Sequence, residues 1–243
     1  MKKKAPPKIV LTCEHAGNEV PKKLRSFFKG SSKLRESHRG WDFGALAVAK
    51  IVQRNLNTCL FYSKTTRLVV DLNRSVENPT LFSKFITPLD EKMRFHILSM
   101  HYHPYRKMVK SYILRKLAAE RKTRIAHFSI HSFTPVLKGK IRTCEIGLLY
   151  DPKFKFEEQL AERLRLELRQ RFPDLRIKMN YPYRGDGDGQ TTILRNDLPK
   201  GRYAGIEIEM NKKWITDEIK RGRLKKTSTL IAEALHEATR AQT

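Results

Sequence analysis

The stretch KIVLTCEHAGNEVP, residues 8–21, joins a short strand to a polar turn. Ile9, Val10 and Leu11, followed by the small Thr12 and Cys13, read as a buried β-strand. Glu14, His15, Asn18 and Glu19 then arrive around Gly17 and just ahead of Pro21. In open α/β sheets ligand chemistry gathers beyond the carboxyl ends of strands. The stretch decides the fold if other strand-like runs end in the same way.

Several do. RLVVDL (67–72) reads as a strand and runs into Asn73 and Arg74, and RIAHFSI (124–130) runs into His131 and Ser132. RIKMN (176–180) ends in Asn180, and YAGIEIEM (203–210) carries Glu207 and Glu209 near its end. TCLFYS (58–63) and EIGLLY (145–150) are further strands. Helical spacing of apolar residues marks 43–56, with Asp42 as an N-cap candidate, and 154–171. A long helical stretch over 90–121 is expected to break near Pro104, and 225–240 returns to helix. Strands separated by helices predict an α/β sheet flanked by helices, with at least partly parallel pairing. No repeat or low-complexity linker divides the chain, so 1–243 reads as one domain.

Composition narrows the classes. The chain has 243 residues and 40% hydrophobic content, enough for a sizeable core. No apolar run reaches the roughly 18 residues of a spanning helix. The basic MKKKAPPK start lacks the apolar region and cleavage site of a secretory signal, which predicts a soluble, cytoplasmic protein without a membrane partner. Cys13, Cys59 and Cys144 are widely spaced in apolar contexts and read as reduced, buried thiols. Lys plus Arg number 50 against 25 Asp plus Glu, a formal charge of +25. Such a field favours anionic partners and permits non-specific nucleic-acid binding. The cations are spread along the whole chain, however, and form no recognisable nucleic-acid motif.

The chemistry rests on a few side chains. His15 and His131 each follow an apolar strand, where neutral imidazole can face a cleft and ligate a metal. A carboxylate should complete the set. Glu19 offers one if the Gly17 turn folds it back, and Asp42 offers another from the mouth of the first helix. Glu14, adjacent to His15, points elsewhere if the strand continues that far. Glu207 and Glu209, two apart on a strand, share one face, and either could serve as a general base. Asn73 and Arg74 suit a substrate carboxylate. Arg67 and Tyr183 are further candidate substrate-binding groups, Tyr183 from a glycine-rich loop at 180–192 expected to act as a flexible wall or lid.

Together, CEHAGNEVP, WDFGALA, RLVVDLNRS, HPY, IHSF, NYPY and IEIEMN resemble the N-formylglutamate amidohydrolase family, a branch of the zinc-carboxypeptidase-like hydrolases. The pieces occur in the family's order from residue 10 to about 215. The resemblance implies a three-layer α/β/α fold with a mixed, largely parallel central sheet of the phosphorylase/hydrolase type. It further implies one zinc ion, or another divalent metal, and hydrolysis of a linear amide such as N-formylglutamate or a related N-acyl amino acid through a metal-activated water. His15 and His131 would be ligands, Asn73 and Arg74 would grip a carboxylate, and Glu209 would be the general base, with Glu207 as the alternative. Where carboxypeptidases carry His-x-x-Glu, this chain has Asn18, with Glu19 one residue later. Ser129 stands where related enzymes often have an aspartate. Two other functions remain on the same scaffold: a carboxypeptidase or amidase acting on peptides or peptidoglycan, and a non-catalytic basic nucleic-acid-binding protein.

Overall fold

A computed structural model describes residues 5–240; of the basic N-terminal segment, residues 1–4 lie outside the described residues, as do 241–243. The strands are β1 (Lys8–Cys13), β2 (Cys59–Tyr62), β3 (Ile125–Phe133), β4 (Val136–Leu137), β5 (Lys140–Ile141), β6 (Ile146–Leu149), β7 (Ile177–Met179) and β8 (Tyr203–Asn211). The α-helices are α1 (Ser32–Arg35), α2 (Ala45–Leu56), α3 (Glu91–Ile97), α4 (His103–Ala119), α5 (Lys155–Arg171), α6 (Gln190–Asp197), α7 (Lys212–Lys220) and α8 (Leu224–Arg240). Six strands form one sheet in the order β2-β1-β3-β8-β6-β7, while β4 and β5 make a separate small ribbon. Pairing is parallel throughout the sheet except between β6 and β8. No helix of the described residues is long and apolar enough to cross a membrane.

The period-two alternation of the central strands sorts the two faces. Ala126, Phe128 and Ile130 of β3 and Ala204, Ile206 and Ile208 of β8 enter one core with Val48 and Val52 of α2, Leu160 and Leu164 of α5 and Ile231 and Leu235 of α8. The opposite face carries the intervening residues, among them His127, Ser129 and His131 on β3 and Glu207 and Glu209 on β8. A second core built on Val109 and Ile113 of α4, Leu194 of α6 and Ile97 of α3 covers that side. The result is helices on both faces of a mixed, mostly parallel sheet, as expected.

Two local readings change. RLVVDL is not a strand. Leu68, Val69, Val70 and Leu72 bury into the second core, but Val69 N–H donates to the Thr66 carbonyl in a turn and Asp71 N–H to the Leu81 carbonyl across a loop, neither in a strand ladder. Asp42 does not cap α2. Gly44 precedes the helix at φ 80°, and a Cβ there would meet Ile215 Cγ2 at 2.4 Å. The long helix is interrupted near Pro104 as expected: a π-type turn over Leu98–Tyr102 comes directly ahead of the proline, which lies in the first turn of α4.

His127 is fully buried between Thr12 Oγ1 at 2.8 Å and the Tyr203 hydroxyl at 2.6 Å. Burial pushes its pKa down to about 4. In the unfolded chain a histidine takes its proton near about pH 6.5. The stability that neutral His127 contributes is therefore complete above that pH and is lost as pH falls toward 4, by about 3 kcal/mol. The His127→Gln variant should show a shallower fall in stability than the parent between pH 7 and 4. Parallel denaturation profiles for the two proteins would refute this.

Candidate metal centre

β1 ends at Cys13, so Glu14 and His15 lie in a turn and are not held to opposite faces. Both side chains enter one buried cluster. Gly17 lets this turn close: a Cβ there would lie 2.6 Å from the Lys64 carbonyl oxygen. The backbone then runs outward, with Glu19 N–H donating to Lys64 O and Thr66 N–H to Glu19 O. This path carries Glu19 to the surface, where its side chain is 66% exposed and lies 3.7 Å from Lys64 Nζ. The structure does not bring Glu19 to the histidines.

It does bring Asp42. Asp42 Oδ2 lies 2.9 Å from His131 Nδ1 and 3.4 Å from His15 Nδ1. His15, Asp42 and His131 each offer a donor atom within 4.8 Å of the others, and all three are buried. The far nitrogens are held as well. His15 Nε2 lies 2.7 Å from Asp71 Oδ1, while His131 Nε2 lies 2.8 Å from Ser129 Oγ and 3.3 Å from Glu14 Oε2. Carboxylates on the outer nitrogens fix the ring orientation and direct both Nδ1 atoms toward Asp42.

The electrostatics of the cluster are lopsided. Glu14, Asp42, Asp71 and Glu209 are all buried, and the fixed positive charge among them is Arg67, which donates from Nε at 3.0 Å and Nη2 at 2.5 Å to Asp71 Oδ2. Burial opposes ionisation of Asp42, but the two histidines hold its carboxyl well below the ordinary range. Burial likewise raises Glu14, and His131 and Ser129 more than offset it, leaving its pKa at about 2. His131 is pushed up, against burial, by Asp42 and Glu14. Carboxylates that raise both imidazoles in this way would equally hold a cation there in place of the imidazole protons.

Glu209 sits beside His131 in the parallel β3–β8 register and opposite Gly147 on β6. Its Oε2 is buried and has no hydrogen-bond partner among the described residues. Burial, with the charges of Asp42 and Glu207, outweighs His131 and pushes its pKa up to about 7. Glu207 differs: it accepts from Thr191 Oγ1 at 3.0 Å and from Asn73 Nδ2 at 3.4 Å.

A cavity of about 740 Å³ opens over the cluster, and Arg67, Asn73, Arg74, Tyr183, Glu207 and Glu209 line it together with His15, Asp42 and His131. Asn73 Oδ1 also accepts from the Gln190 N–H, Arg74 donates to the Asp188 carbonyl, and the Tyr183 hydroxyl accepts from Arg142. The 180–192 loop is anchored by Asp188, which accepts from Ser75 N–H and Asn78, and its last residues open α6.

The sequence profile of the N-formylglutamate amidohydrolase family matches residues 8–216. The chain belongs to this family. It is accordingly an amidohydrolase, acting on carbon–nitrogen bonds other than peptide bonds. The crystal structure of gene product Atu2144 from Agrobacterium tumefaciens is similar at 30% identity and a TM-score of 0.80, over 96% of this chain and 90% of that one. That of N-formylglutamate amidohydrolase from Ralstonia eutropha JMP134 is similar at 17% identity and a TM-score of 0.69, over 98% and 95%. No curated protein matches the chain. Within the family frame, Glu14, Asp71 and Ser129 join the cluster although the sequence assigned none of them to the site. Asp71 stands in DLNR, three residues before the candidate Arg74.

Proposed function

We propose that this family member is a zinc-dependent hydrolase of a linear amide, N-formylglutamate or a related N-acyl amino acid. The observation that carries the reading is the convergence of His15 Nδ1, His131 Nδ1 and Asp42 Oδ2 beside the unpartnered Oε2 of Glu209. Two imidazoles and one carboxylate, with a side left open to the cavity, are a donor set suited to catalytic zinc. A zinc ion held there supplies Lewis acidity toward a carbonyl oxygen and toward a water.

The chain's own residues supply the rest. Glu209 accepts the proton of the attacking water at its free oxygen and returns it to the leaving nitrogen. Glu207 is occupied by Thr191 and Asn73, which favours Glu209 as the base. Asp71 and Glu14 hold the outer nitrogens of the two histidines. Arg67 and Arg74, with Asn73 and Tyr183, present donors to a carboxylate in the same cavity.

The test is metal analysis of the purified protein, paired with hydrolysis assays on formyl-, acetyl- and peptidyl-amino acids. The expected result is about one zinc per chain, preference for formyl or short acyl substrates, and loss of both metal and activity in His131→Ala. Preference for peptidyl substrates would move the assignment to a peptidase or peptidoglycan amidase. Absence of metal, together with steeply salt-dependent nucleic-acid binding, would overturn it.

A further inference from the structure

We propose that Glu14 is a positioning residue for His131, acting through the Ser129 hydroxyl; the inference rests on the metal reading above. Ser129 Oγ lies 2.6 Å from Glu14 Oε2 and 2.8 Å from His131 Nε2. A serine hydroxyl has one proton, and an ionised carboxylate only accepts. The Ser129 proton therefore goes to Glu14, and the Ser129 oxygen accepts from His131 Nε2–H. With the proton fixed on Nε2, Nδ1 is the nitrogen left to give up its proton and offer its lone pair to a cation between Asp42 and His15 Nδ1, where the metal donors converge.

The charge of Glu14 needs this explanation. The side chain is buried, and its one ion-pair partner among the described residues is His131, with Oε2 at 3.3 Å. Its other oxygen lies 3.5 Å from the Tyr105 hydroxyl, a weak contact. An isolated buried carboxylate is costly, and a neutral glutamine could accept from Ser129 equally well. What a glutamate adds is negative charge relayed to the outer nitrogen of His131, which makes Nδ1 a stronger donor to a cation.

Glu14→Gln and Ser129→Ala in the full chain test the role. Zinc affinity is measured by chelator competition, and thermal stability is measured on the metal-free proteins. Both variants are expected to bind zinc about 10- to 100-fold more weakly than the parent, a loss larger than any fall in metal-free stability accounts for. Long-range ¹H–¹⁵N spectra of the zinc-loaded parent are expected to place the His131 proton on Nε2. If Glu14→Gln binds zinc as tightly as a zinc-binding parent, or weakens only in step with lost metal-free stability, the positioning role is overturned and the metal reading stands. A proton on Nδ1 would also overturn it. A parent that takes up no zinc overturns the metal reading and this role with it.

Discussion

The Glu209→Gln variant is expected to lose about a hundred- to ten-thousand-fold in kcat while keeping its metal. Glutamine preserves the shape of the side chain and its place beside His131, so the variant removes proton-accepting capacity and little else. Glu209 Oε2 has no partner in a buried site, an arrangement that costs stability and is explained by a function at that oxygen. Its pKa of about 7 lies where a group can both take and return a proton near neutrality. Glu207→Gln is the comparison. Glu207 already accepts from Thr191 and Asn73, so its replacement should disturb the Asn73 contact and raise KM more than it lowers kcat. Steady-state kinetics on both variants, with metal content measured in the same preparations, decide the matter. If Glu209→Gln retains kcat within tenfold of the parent at full metal loading, Glu209 is not the base.

How much of this was legible depended on which interactions are periodic. RIAHFSIH and YAGIEIE alternate apolar and polar residues, a period that puts His127, Ser129 and His131 on one face of their strand and Glu207 and Glu209 on one face of theirs; the β3–β8 pairing makes the two faces one. The location of the site at strand ends follows from the same pattern. RLVVDL defeated it because a short buried apolar run reads alike as strand or turn; only the bonds to Thr66 and Leu81 distinguish them. Asp42 was ambiguous for a related reason, since a carboxylate ahead of a helix suits a cap and a ligand equally. Gly44 takes the cap position and leaves Asp42 free for the histidines, 27 and 89 residues away in sequence. The direction of Glu14 hung on whether β1 continued past Cys13, and alternation alone does not say where a strand ends. Its partner Ser129 lies 115 residues away, a distance over which no local pattern carries information.

Arg195→Met is expected to destabilise the fold by about 3–5 kcal/mol, a large share of the roughly 5–15 kcal/mol typical of a domain. No motif in the sequence marks Arg195, yet it is almost wholly buried on α6. Its Nε and Nη2 donate to the two oxygens of Glu157 at 3.0 and 2.6 Å, and Nη2 reaches the Gly205 carbonyl at 3.3 Å. Glu157, on α5 and also buried, accepts from the backbone N–H groups of Asp151 and Gly205 at 2.7 and 2.8 Å. One ion pair thus ties α5 and α6 to β8, four residues before Glu209. Burial already raises the Glu157 pKa despite the guanidinium. Removing Arg195 leaves a buried carboxylate whose charge has lost its main compensation, so its pKa climbs further. A carboxyl raised in the folded state destabilises above its unfolded pKa and ceases to do so once both states are protonated. The deficit of Arg195→Met should therefore be greatest near neutral pH and shrink as pH falls toward 5. Adding Glu157→Gln, which keeps an acceptor for the two backbone donors without the charge, should recover much of the loss. Denaturant unfolding of the parent, Arg195→Met and Arg195→Met/Glu157→Gln at pH 7.5 and 5.5 measures all three terms. A pH-independent deficit, or a double variant no more stable than the single, would show that lost packing, not an uncompensated charge, accounts for the effect.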